Sequence, residues 1–130
     1  MGLYNFQERF VAPILAGAKR QTIRANRKHP DAPGDTLHLY TGLRHKGARL
    51  LARVHCTWTA QIQIDRDGLI AIDGVDLTRT EYRVLAERDG FPSYAEMMEF
   101  WKGRLPFEGQ ILGWGTLLDG PPPPPLDPRD

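Results

Sequence analysis

The feature that most constrains this chain is a long run of strict alternation through its middle. From residue 52 to residue 64, Ala52, Val54, Cys56, Trp58, Ala60, Ile62 and Ile64 share one parity, while Arg53, His55, Thr57, Thr59, Gln61 and Gln63 take the other. Successive side chains of a strand point to opposite faces, so the pattern predicts a strand with an apolar inner face and a polar outer one. It is longer than the usual strand of about five or six residues. A strand of that length must serve two sheet edges or bend around the corner of a barrel.

Shorter signals flank it. Pro33, Gly34 and Asp35 are turn residues that lead into Thr36, Leu37, His38, Leu39 and Tyr40, which alternate like a half-buried strand. Asp67 and Gly68 mark a turn before a short strand at residues 69–72. A last strand is predicted over residues 110–118, where Gly113 and Gly115 imply a bulge or a close backbone approach.

Helix signals are separate from these. Thr78 with Glu81 forms a capping box, Leu77 and Tyr82 a hydrophobic staple, and Gly90 a stop. Ser93 with Glu96 starts a second helix, with Tyr94, Met97, Met98 and Trp101 as its buried stripe and Gly103 as its end. A first helix is expected over residues 8–16, after Asn5 with Glu8 as a capping box. Pro13 shortens or kinks it, and Gly17 ends it. The class is therefore α+β, with two to three helices around a sheet.

At 130 residues the chain can bury one core. We expect a domain over residues 1–118 and a tail over residues 119–130, where Pro121 to Pro125 favour extended polyproline II. The tail reads as a stiff, solvated extension or as a ligand for a proline-binding module. No apolar run is long enough to span a bilayer, and the N-terminus lacks a signal peptide's basic-then-apolar layout, so a cytoplasmic protein is expected.

The net charge of +1 conceals a division: residues 1–55 carry 10 Lys/Arg against 3 Asp/Glu, and residues 56–130 carry 7 against 13. Such asymmetry is a weak cue for a polyanion-facing surface. The lone cysteine, Cys56, shares parity with Val54 and Trp58, which predicts a buried structural thiol. His29, His38, His45 and His55 lack metal-ligand spacing and a single cysteine cannot build a metal site, so we predict no zinc or other metal.

The segment from Ile14 to Arg24, with Gly17, Lys19, Thr22, Ile23 and Arg24, resembles the signature of the ASCH domain: a helix end, a glycine, a lysine, then Thr-Ile-Arg entering a barrel strand. Pro33-Gly34-Asp35 before an apolar strand is similar to the family's next feature, and Ala86 to Phe91, with acid-Gly at Asp89-Gly90, to its third. The resemblance covers roughly residues 6–114. It implies a PUA-like β-barrel, no cofactor, and, from the small bacterial members, hydrolysis of N4-acetylcytidine and related N4-acylcytosines. The catalytic lysine, threonine and glutamate of those members fall on Lys19, Thr22 and Asp89. Aspartate here stands where they have glutamate.

The residues make part of this case themselves. Tyr82, Leu85 and Ala86 form the inward stripe of their helix, and Asp89 continues it. A buried carboxylate at a helix C-terminus needs a cation, and Lys19 is the candidate. The other reading is an aspartate exposed to water beside Gly90. Lys19 and Thr22 can converge only if Lys19 belongs to the helix exit and Thr22 to the strand, since odd spacing on one strand separates them. A threonine hydroxyl needs a base, and lysine serves as one only when burial or neighbouring cations, here Arg20 and Arg24, lower its pKa.

Arg24 either binds a substrate carbonyl or phosphate or pairs with Asp35. Phe6, Tyr40 and Trp114 are candidates to stack on a base, or else core aromatics. The leading expectation is an amidohydrolase acting on a nucleoside at Lys19, Thr22 and Asp89, with Arg24, Tyr40 and Phe6 binding substrate. The alternative is an RNA-binding PUA-like module, with or without ribonuclease activity, using a cleft of Lys19, Arg24 and Tyr40.

Overall fold

A computed structural model describes residues 2–43 and 47–118. It contains seven strands and three helices: β1 (Gly2–Phe6), α1 (Val11–Leu15), β2 (Gln21–Ala25), β3 (Thr36–Thr41), β4 (Arg49–Ile64), β5 (Ile70–Ile72), β6 (Val75–Asp76), α2 (Arg79–Arg88), α3 (Tyr94–Trp101) and β7 (Phe107–Trp114). The mixed α+β class read from the sequence is the class observed. The tail at residues 119–130 and His45 lie outside the described residues.

β4 organises the sheet. Its first half pairs antiparallel with β3, which in turn pairs in parallel with β1. Its second half pairs antiparallel with β7 and, on its other edge at Ile62 to Ile64, with β5. β2 joins the far edge of β7. One strand thus serves two sheet edges, as its length requires. The core runs between the halves through Leu37, Leu39, Val54, Ile62, Ile64 and Ile111, all fully buried.

The barrel implied by the resemblance is left open. Among the described residues β1 and β2 share no ladder. Instead two arginines of the β2 limb reach across. Arg24 Nη2 donates to Asn5 O (2.7 Å) and Arg27 Nη2 to Leu3 O (2.9 Å). Side-chain donors satisfy carbonyls on the β1 edge that a neighbouring strand would otherwise pair. That stitched but unclosed seam is where the main cavity lies.

Several local expectations change. Trp58 and Ala60 are not on the buried face: the β4 register shifts between Cys56 and Trp58, leaving Trp58 39 % exposed. A bulge breaks strict parity and turns the residue after it outward. Asn5 does not cap a helix but sits in β1, with its Oδ1 accepting from Leu43 N (2.9 Å). The segment at residues 8–16 divides into a 3-10 turn (Glu8–Phe10) and α1, with Pro13 early in α1, where its missing N–H costs little. β7 starts and ends earlier than residues 110–118, and β1 and β6 carried no readable sequence signal. Thr78, by contrast, makes the full capping box with Glu81, and Ser93 Oγ accepts from Glu96 N. No helix among the described residues is long and apolar enough to cross a membrane.

Candidate active site

Local sequence places each side chain. Gly17, at φ +78°, closes α1, and Ala18 and Lys19 then donate their amides to Pro13 O (2.9 and 3.0 Å). A left-handed residue is what such a helix exit requires, and glycine adopts it without strain. Lys19 therefore belongs to the exit turn, and β2 begins two residues later. Thr22 sits on β2 opposite Leu112 of β7. Asp89 caps the end of α2, and Gly90 turns the chain away at φ +96°.

These elements bring three polar side chains into the interior. Lys19, Thr22 and Asp89 are only 2 %, 4 % and 6 % exposed. Lys19 Nζ lies 3.4 Å from Asp89 Oδ1 and donates to Asp89 O at 2.5 Å. The shorter contact is to the main chain, so a backbone atom contributes to holding the ammonium whatever side chain stands at position 89. The faces of Phe10 and Phe6 add to the cage, with ring centroids 4.9 and 5.6 Å from Nζ. Asp89 is thus inward and paired, not exposed beside Gly90.

Burial pushes both partners toward neutrality. It is the main reason the Lys19 ammonium is held below its ordinary pKa; Asp89 opposes this, and the Arg24 charge adds to it. Burial likewise raises the Asp89 carboxyl, against Lys19, Gln21 and Arg24. Arg24 itself is lowered to about 10, chiefly by burial and then by Arg27, so it remains a cation at neutral pH. Arg20, expected to help depress Lys19, is exposed and donates its Nε to Gly17 O (2.9 Å).

Arg24 takes neither of the two roles expected of it as its main contact. It forms no ion pair with Asp35, whose carboxylate accepts from Ala32 N. Its Nε donates to Thr22 Oγ1 at 2.9 Å, and its guanidinium lies over Phe6, 4.7 Å from the centroid. A cationic donor on a hydroxyl oxygen favours the deprotonated form. No hydrogen bond joins Lys19 to Thr22 among the described residues. A proton passing between them needs one bridging water or a turn of Nζ.

Lys19, Thr22, Arg24 and Asp89 line one open cavity of about 530 Å³. Phe6 lines it too, as a buried floor edge-on to Trp114 (6.4 Å between centroids, 77°). Phe100, Trp101 and Phe107 form the facing wall, with Arg104 at 4.5 Å over Phe100. Tyr40 is not there. Leu37, Leu39 and Thr41 are the buried residues of β3, which places Tyr40 on the opposite face, so a cleft of Lys19, Arg24 and Tyr40 is not formed. Trp114 lies behind Phe6, against a second cleft. Cys56 is buried, and burial raises its thiol pKa, as suits a structural residue.

Gln21 went unnoticed in the sequence. It is 3 % exposed and beside Asp89, where its amide favours the carboxylate, yet its Nε2 makes no hydrogen bond of ordinary geometry. Its only signal was a polar residue between Arg20 and Thr22. No protein-family model, curated protein or solved structure matches this chain.

Proposed function

We propose that this protein is an amidohydrolase that removes the acyl group from N4-acylated cytidine or cytosine, on a PUA-like ASCH fold whose barrel is open at the site. The observation that carries the reading is the buried Lys19–Asp89 pair sharing one cavity with a Thr22 hydroxyl whose oxygen accepts from Arg24. A cavity of about 530 Å³ falls within the range that holds small-molecule ligands. Its aromatic lining suits a flat base.

In this reading Thr22 Oγ1 attacks the acyl carbonyl. Its proton passes to neutral Lys19, and from there to N4 as the carbon–nitrogen bond breaks and cytidine leaves. The acyl group is then an ester on Thr22. Water, deprotonated by the same lysine, hydrolyses the ester, releasing the carboxylic acid and restoring the hydroxyl. Asp89 positions Lys19. Arg24 has used one N–H on Thr22 and one on Asn5. A guanidinium carries five such donors, so others remain for the negative oxygen that develops during attack.

The test is incubation of the purified protein with N4-acetylcytidine, followed by its ultraviolet spectrum, beside Thr22→Ala and Lys19→Ala. Conversion to cytidine that disappears in Thr22→Ala supports the assignment. Undiminished turnover in Thr22→Ala sinks it.

A further inference from the structure

A second cleft, of about 300 Å³, opens beside Arg20 and Gln21 and is lined by Ala18, Arg20, Gln21, Trp58, Arg88 and Trp114. Its chemistry is one-sided. Arg20 and Arg88 are exposed, and neither forms an ion pair among the described residues. Trp114 Nε1 is a buried N–H without an acceptor among the described residues, whereas the Gln21 amide is turned toward Asp89. Buried donors are nearly always satisfied, so an unsatisfied indole N–H beside two exposed cations suits an acceptor-rich ligand. No lining residue is acidic.

Its aromatic element is built. The register shift in β4 turns Trp58 out of the core, and its indole lies against Gly113 of β7. A Cβ at position 113 would run into the indole ring, so the glycine is needed for this seat. A tryptophan that is 39 % exposed yet backed by a strand is a fixed flat surface at little entropic cost. The planar face and the two arginines together describe a ligand with an aromatic ring and a phosphate. The volume admits one such unit.

We propose that this cleft binds a single nucleotide unit, with its base against Trp58 and its phosphate between Arg20 and Arg88. The unit is either a free mononucleotide or one residue of a single-stranded nucleic acid. The inference stands apart from the reading of the Lys19 cavity.

Full-length protein is titrated with cytidine 5′-monophosphate, with cytidine, and with a short 5′-phosphorylated single-stranded oligocytidylate, by calorimetry and by tryptophan fluorescence. The monophosphate is expected to bind and quench, cytidine to bind about tenfold more weakly or worse, and Arg20→Ala/Arg88→Ala to lose a similar factor. An oligonucleotide that binds more tightly than the monophosphate assigns the site to a strand, and one that does not bind assigns it to the free nucleotide. Arg104→Glu, at the rim of the other cavity, should leave binding unchanged, while Trp58→Leu should weaken it. No binding of either phosphorylated probe, binding indifferent to the arginine pair, or binding abolished by Arg104→Glu overturns the proposal. Because no acylated substrate is involved, failure here leaves the hydrolase reading standing, and failure of hydrolysis leaves this one.

Discussion

The two clefts lie on either side of the same short segment and solve opposite electrostatic problems. In the Lys19 cavity a cation and an anion are buried together, each pushed toward neutrality by desolvation and restrained by the other. In the Trp58 cleft the cations stay exposed and, among the described residues, unpaired. Burying a charged pair costs more than surface exposure, and a fold tolerates it where the pair has a task or its partners are complete. Lys19 is therefore suited to gain and lose a proton, whereas Arg20 and Arg88 serve to attract an anion. Residues 18, 20 and 21 line one cleft and residues 19 and 22–25 the other.

The sharpest division comes from Thr22→Ala. Hydrolysis should fall by about 10⁴-fold or more, as when a nucleophile is removed, with nucleotide binding at Trp58 unchanged. Lys19→Ala is next. It strands a buried carboxyl, which either protonates or costs about 3–5 kcal/mol, and denaturant unfolding at neutral pH should show the loss. Asp89→Asn/Lys19→Ala should recover part of it, since the buried carboxyl that Lys19→Ala strands is then gone. Gly113→Ala tests the other cleft: the indole must shift, at about 1–3 kcal/mol of stability, and nucleotide affinity should drop while hydrolysis per folded molecule persists. Equal damage to both activities from either Thr22→Ala or Gly113→Ala would break the separation of the clefts.

Much of the fold was legible because its signals are local. Period-two runs located β3 and β4, and the capping residues Thr78 and Ser93 located α2 and α3. Burial of Asp89 followed from its place on the α2 stripe. What escaped depends on partners distant in the chain. β1 is held by β3 and by Arg24 and Arg27, none of which its five residues announce. The bulge that exposes Trp58 is a register choice between β4 and β7, invisible to alternation in β4 alone. Tyr40 is different: Leu37 and Leu39 already fixed its outward parity, so the strand pattern argued against a site role from the start. The Arg24–Thr22 bond was equally accessible, since residues i and i+2 share a face of a strand.

The smallest effect is a shift in pH dependence, and its sign identifies the base. Lys19 acts as a base only when neutral, so hydrolysis should rise with pH along a limb set by its native pKa, below the ordinary 10.5. Asp89 raises that pKa and Arg24 lowers it. Asp89→Asn should therefore move the limb to lower pH and Arg24→Gln to higher pH, each against a reduced maximal rate. Stability follows the same accounting. Between the native Lys19 pKa and 10.5 the unfolded chain binds more protons, so stability rises with pH across that window. For Asp89 the native state binds more protons between 3.8 and its raised pKa, and stability falls as pH rises there. Gln21→Leu, which removes a group that favours the Asp89 carboxylate, should extend that second window upward by a small amount. Gln21 lines the Trp58 cleft as well, so adding cytidine 5′-monophosphate and re-measuring the limb asks whether the clefts communicate through it. A limb that moves in the same direction in Asp89→Asn and Arg24→Gln would remove Lys19 as the titrating base, because no placement of one ammonium between an anion and a cation gives that result.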